Sequence, residues 1–162
     1  MGIVDGIRDG HGGVVGGVAR LTLRFLQFVM ALTVAGLYGV DLQRGRKAGV
    51  AADGKWVYAE VVAGLSAVTI LIYAITFAMD FHHFCFAWDC ILFILWTALF
   101  GLFGKIYIPA NPTPEQHGQQ RMKSAVWVDL VNMLLWFITA IWLTVRFLTR
   151  NRRTLHTGRA IV

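Results

Sequence analysis

Residues 84–107, FCFAWDCILFILWTALFGLFGKIY, limit what the rest of this chain can fold into. Between positions 87 and 104 the run is apolar except for Asp89 and Thr97. About 18 residues at roughly 1.5 Å rise each come close to the thickness of a bilayer's hydrocarbon core. The run therefore predicts a membrane helix. Asp89 lies one turn inside its start and Lys105 stands at its end, so the two ends carry opposite charges. Each is a charge that a neighbouring segment has to answer.

Three other segments have the same character, at residues 21–40, 56–79 and 125–145. In the first, Arg20, Arg24, Gln27, Ala31, Ala35 and Gly39 share one stripe, because residues three and four apart lie on the same helix face. Small residues at that spacing let helices approach closely where lipid offers no hydrophobic drive, so the stripe is expected to face protein. Arg24, one turn from the start, can instead reach the head groups or, with Gln27, line a substrate path. The second span opens with the interfacial rings Trp56 and Tyr58. Its inward face reads as Glu60, Ala63, Gly64, Ala67, Leu71, Ala74 and Ala78. The last span places Asp129, Asn132, Trp136 and Ala140 on one face. The expected fold is an all-α integral membrane protein, an antiparallel bundle of four transmembrane helices.

The charge distribution agrees with this. Only 15% of the residues are charged and 57% are hydrophobic, against about 25% charged in an ordinary soluble domain. The net charge is +6, but the bases lie outside the apolar runs, where they meet anionic lipid head groups rather than nucleic acid. Residues 1–20, with seven glycines, read as a flexible cytoplasmic tail. They contain no secretory signal, and Gly6 stands where a myristoylation start needs Ser or Thr. Residues 21–146 form the membrane domain. Residues 147–162 form a basic cytoplasmic tail, in which Arg146, at its border, with Arg150, Arg152 and Arg153 is expected to hold anionic lipid.

The connections are polar. Asp80, His82, His83 and Cys85 crowd the short turn before the third span. Adjacent histidines on a turn do not readily share one ion and no second cluster accompanies them, so no metal or cofactor is expected. Cys85 and Cys90 are spaced C-x4-C, two residues too far apart for the C-x-x-C of a redox motif, and Cys85 is the candidate for palmitoylation. Residues 108–124 carry three prolines, including the Asn111-Pro112-Thr113 triplet, whose proline disqualifies it as a glycosylation sequon.

Four spans put both termini on one side. Bases divide almost evenly between the two sides, and the inner side is assigned to the termini because the arginine-rich tail has no acid. Arg24 and Asp89 then lie at one depth, and Glu60, Lys105 and Asp129 at another. An unpaired charge at the membrane centre costs about 2.5–3.5 kcal/mol, so two clusters are expected: Arg24 with Asp89, and Lys105 with Glu60 or Asp129. Their role is to fix helix register. A sharper alternative is a proton or cation relay through Glu60 and Asp129.

The run Trp88-Asp89-Cys90-Ile91-Leu92-Phe93, leading through Leu95-Trp96 to Phe100-Gly101, and Ala125-Val126-Trp127-Val128-Asp129-Leu130 at the last span resemble a fungal MARVEL-domain protein. The resemblance covers about residues 20–146. It implies a four-helix membrane domain without catalytic residues, associated with membrane apposition, vesicle trafficking or lipid microdomains. Neither outer loop contains Cys, so the disulfide-tied loop of some animal relatives is not expected. The histidines lie outside the spans, which argues against a transmembrane haem protein. Ser66 has no histidine partner at membrane depth, so an enzyme is not expected. The reading is a membrane organiser in the plasma membrane or endomembrane vesicles. Its partners are the bilayer, anionic lipid and other membrane proteins or copies of itself, with Phe84, Phe86, Phe93, Phe100 and Phe103 facing outward. The alternative is a small transporter or channel subunit using Glu60, Asp129 and Asn132.

Overall fold

The structure is a computed structural model that describes residues 13–51, 53–75, 82–111 and 116–157, with side chains except at 13–15, 82–85, 146–147 and 149–157. Four helices make up nearly all of it: α1 Gly13–Lys47, α2 Gly54–Ile75, α3 His82–Tyr107 and α4 His117–Thr157. Among the described residues there is no strand. Each helix contains a stretch long and apolar enough to cross a membrane, at Gly16–Lys47, Gly54–Ile75, Phe86–Tyr107 and His117–Val145.

Helices and apolar runs do not end together. The helix α1 begins inside the glycine-rich segment expected to be a tail and runs on through residues expected to be a loop. The segment 41–47, DLQRGRK, is polar but supplies Leu, Gln, Arg and Lys, all good helix formers. Termination comes at Gly49, whose φ of 68° suits glycine. Around it Ala48 N–H and Val50 N–H donate to the carbonyls of Arg44 and Gly45, both at 3.0 Å. Asp53 then caps α2, its Oδ1 accepting from Lys55 N–H at 3.1 Å. At the other connection the helix α4 starts at His117, after the last of the three prolines.

The helix α1 packs on α2 and α4, and α3 packs on α4 and more lightly on α2, so α1 and α3 stand opposite each other. Ala31 and Val34 of α1, Val62 of α2, Leu92 and Trp96 of α3, and Trp136 of α4 meet in the core. On α2 the buried face is Ala59, Val62, Ala63, Ser66, Thr69 and Ile70. This corrects the sequence reading, since Gly64, Leu71 and Ala74 face outward. Ala78 lies outside the described residues. The rotation has a polar cause. Ser66 Oγ accepts from Trp96 Nε1 at 3.0 Å and Thr69 Oγ1 from Trp88 Nε1 at 2.9 Å, so two hydroxyls rather than the small residues aim α2.

Phe103 is a second correction. It is buried, its ring 4.6 Å from that of Tyr38 and 6.2 Å from that of Tyr107. Paired rings gain by interlocking what an outward Phe would leave to solvent or lipid. Phe86, Phe93 and Phe100 are half-buried, and the Phe84 side chain lies outside the described residues.

Polarity is distributed inside out. Phe25, Leu32, Val68, Ile94 and Trp127 are each more than half exposed, whereas Gln27, Asp89, Asp129 and Asn132 are fully buried. In a water-soluble domain such groups are mostly at the surface.

Candidate functional site: the polar interior of the bundle

The first buried cluster draws on all four helices. From α1, Arg24 Nη2 donates to Asp89 Oδ2 on α3 at 2.6 Å, and Nη1 donates to Gln27 Oε1 at 3.0 Å. The other Asp89 oxygen, Oδ1, accepts from the Tyr73 phenol of α2 at 3.0 Å. Gln27 Nε2 passes the chain on to Thr139 Oγ1 of α4 at 3.2 Å, and that hydroxyl donates to the Trp136 carbonyl at 3.0 Å. The guanidinium also lies against two rings, with Cζ 4.5 Å from the Tyr73 centroid and 5.3 Å from that of Trp136. A short, charge-assisted bond with its remaining oxygen satisfied is the arrangement in which a buried ion pair is tolerated.

The second cluster is built differently. The Tyr38 phenol of α1 donates to Asp129 Oδ2 on α4 at 2.7 Å. Asn132, one turn further along α4, donates from Nδ2 to the Val128 carbonyl at 3.3 Å. Three buried atoms on this face of α4 have no hydrogen-bond partner: Asp129 Oδ1, Asn132 Oδ1 and Trp136 Nε1. Glu60 on α2 is half-buried, and its Oε1 is likewise unpartnered. It lies so close to α1 that a Cβ at Gly39 would come within 2.9 Å of it. Successive residues of α1, Tyr38 and Gly39, thus touch the two acids, which places Asp129 and Glu60 at one depth on different sides of α1.

The structure brings Arg24 and Asp89 together. It does not do so for Lys105, which was expected to meet Glu60 or Asp129. Lys105 is exposed and pairs with neither acid. Its long stem lets the ammonium stay in polar surroundings, and a neutral phenol serves Asp129 without burying a second charge. Beyond this cluster, Arg121 of α4 pairs with Asp41 of α1, and Lys123 Nζ donates to the Ala110 carbonyl at 3.0 Å.

Sequence reasoning passed over Tyr38, Tyr73, Thr139 and the Asp41–Arg121 pair. Tyrosines inside apolar runs are a readable signal, because a buried acid without a cation needs a donor of that kind. The side chains of Arg146, Arg150, Arg152 and Arg153 lie outside the described residues, although the α4 backbone carries them as one helix with the last span. Asp80 and the side chains of His82, His83 and Cys85 also lie outside the described residues, and Cys90 is a free thiol. No family model, curated protein or solved structure matches this chain.

Proposed function

We propose that this chain is a non-enzymatic multi-pass membrane protein, an antiparallel four-helix bundle that organises the bilayer around it. The observation that carries the reading is the inverted polarity. A charge cluster tied to all four helices fills the interior, while the outward faces present Leu32, Val68, Ile94 and Trp127. Such a surface is stable where the solvent is hydrocarbon, and the polar interior fixes register where lipid supplies no drive for helices to meet.

Both carboxylate oxygens of Asp89 are occupied, which favours a tie rather than a working group. The resemblance to fungal MARVEL-domain proteins around Trp88-Asp89 and Trp127-Val128-Asp129 points the same way. It suggests lateral organisation of microdomains, membrane apposition or vesicle trafficking, in the plasma membrane or endomembrane vesicles. With the termini cytoplasmic, the helical continuation of α4 sets Arg146, Arg150, Arg152 and Arg153 at the inner leaflet. Each base there contributes on the order of 1 kcal/mol toward anionic lipid.

Reconstitution of labelled protein into phase-separating giant vesicles containing anionic lipid tests this. The protein is expected to concentrate in one lipid phase or at its boundary, and liposomes containing it are expected to hold a proton or cation gradient. Uniform distribution together with a flux that Glu60→Gln abolishes in a folded protein would overturn the reading in favour of transport.

A further inference from the structure

The second polar cluster contains a mismatch that the first does not. Asp129 and Asn132 are both fully buried, and each presents an oxygen with no donor. They stand three residues apart on one helix, the spacing at which Asp and Asn side chains reach each other. Rotating the amide does not help. The Val128 carbonyl takes the Asn132 Nδ2 hydrogen at 3.3 Å, and the reversed amide would set Oδ1 against that carbonyl, acceptor to acceptor. Among the described residues the neighbouring elements supply no cation either. From α1 the facing group is the Tyr38 phenol, already given to Asp129 Oδ2, and Asp41 further along is held by Arg121. From α3 come the apolar Phe103 ring, Tyr107 stacked upon it, and Lys105, which is exposed. On α4 itself Lys123 donates to the Ala110 carbonyl. On α2, Glu60 faces Gly39 on another side of α1.

The unpartnered Trp136 Nε1–H, one turn beyond Asn132, bonds neither of these oxygens, and one hydrogen between Asp129 and Asn132 resolves both acceptors. We propose that Asp129 and Asn132 form a proton-binding site, in which the Asp129 carboxyl is kept in its acid form, Oδ1–H donating to Asn132 Oδ1 while Oδ2 accepts from Tyr38. The ligand is a single proton taken from solvent. Its binding forms the O–H bond and breaks none in the protein. When it leaves, a carboxylate faces an amide oxygen, and this cluster keeps the bond from the Tyr38 phenol to Asp129 Oδ2. The folded chain then holds a proton that the unfolded chain releases at neutral pH, so stability falls as pH rises. The first cluster does not share this behaviour, because Arg24 and Tyr73 already supply donors to both oxygens of Asp89. The inference does not depend on what the protein does to the membrane.

Infrared spectra of the full chain in lipid nanodiscs, with aspartate carboxyl carbons isotopically labelled, test it. At neutral pH the wild type is expected to show a label-sensitive carbonyl band of a protonated carboxyl. The band should vanish in Asp129→Asn and shift in Asn132→Leu, which keeps the acid but removes its acceptor. A wild type without the band, or a band that survives Asp129→Asn, overturns the proposal. If Asp129→Asn does not fold, Asn132→Leu decides, and an unmoved band is the negative result. A thermal midpoint raised by sodium but not by acid also overturns it, since the ligand is then a metal cation.

Discussion

Arg24 and Asp89 belong to helices that stand opposite each other, and their side chains close the 2.6 Å gap between Nη2 and Oδ2 through the middle of the bundle. Among the described residues no backbone packing joins α1 to α3 directly, so side chains couple that diagonal, among them this bond and the Tyr38–Phe103 ring contact. Gln27, Tyr73 and Thr139 extend the same bond to the remaining helices.

Removing one partner leaves the other charged and buried. Arg24→Leu and Asp89→Leu alone should each lower unfolding stability by about 3–5 kcal/mol. The double variant should recover most of that loss, because no uncompensated charge remains. Denaturant unfolding in mixed micelles measures all three. Additive losses in the double variant would show that the two side chains act independently.

This pair was legible in the sequence because an acid and a base near the starts of two odd-numbered apolar runs share a depth once the chain is threaded back and forth. Lys105 was misassigned by the same logic. Depth alone does not pair a residue whose long stem can leave the bundle, and Tyr38 had already answered Asp129 without a charge. Hydropathy located the four helices but not their ends. It reports which residues avoid water, and segments 41–47 and 117–124 are polar yet helical. The rotation of α2 was illegible for a different reason. Counting small residues gave one face, whereas the structure turns Ser66 and Thr69 toward the indoles of Trp96 and Trp88 on the next helix, whose placement no pattern within α2 announces.

Among the described residues the Ser66 hydroxyl alone accepts from the Trp96 indole, and both residues are fully buried. Ser66→Ala strands that N–H and should cost about 1–3 kcal/mol. Measured in the same micelles, Ser66→Ala should destabilise more than Thr97→Ala, since Thr97 is exposed and bonds to its own helix at Phe93. Equal losses would mean that the hydroxyl does not aim α2.

The Arg121–Asp41 pair is a contrasting case. Its carboxylate side chain keeps 10% of its surface exposed where that of Asp89 keeps none, while the two guanidinium side chains are alike at 22% and 20%. Asp41→Asn should cost less than Asp89→Asn, and added salt should narrow its difference from wild type. The Arg24–Asp89 effect should persist in the same salt. Thermal melts at low and high ionic strength distinguish the two pairs.

The most direct measurement is the solvent at the outward faces. With the native cysteines replaced by Ser, single spin labels at Leu32, Val68, Ile94 and Ile138, all outward on their helices, are read in protein reconstituted in lipid vesicles. A membrane-spanning bundle should give easy collision with oxygen and none with a water-soluble nickel chelate at those four positions, and the reverse at Arg44 and Lys55, which are exposed at helix ends. Free access of the chelate to Leu32, Val68, Ile94 and Ile138 would contradict a membrane-spanning bundle.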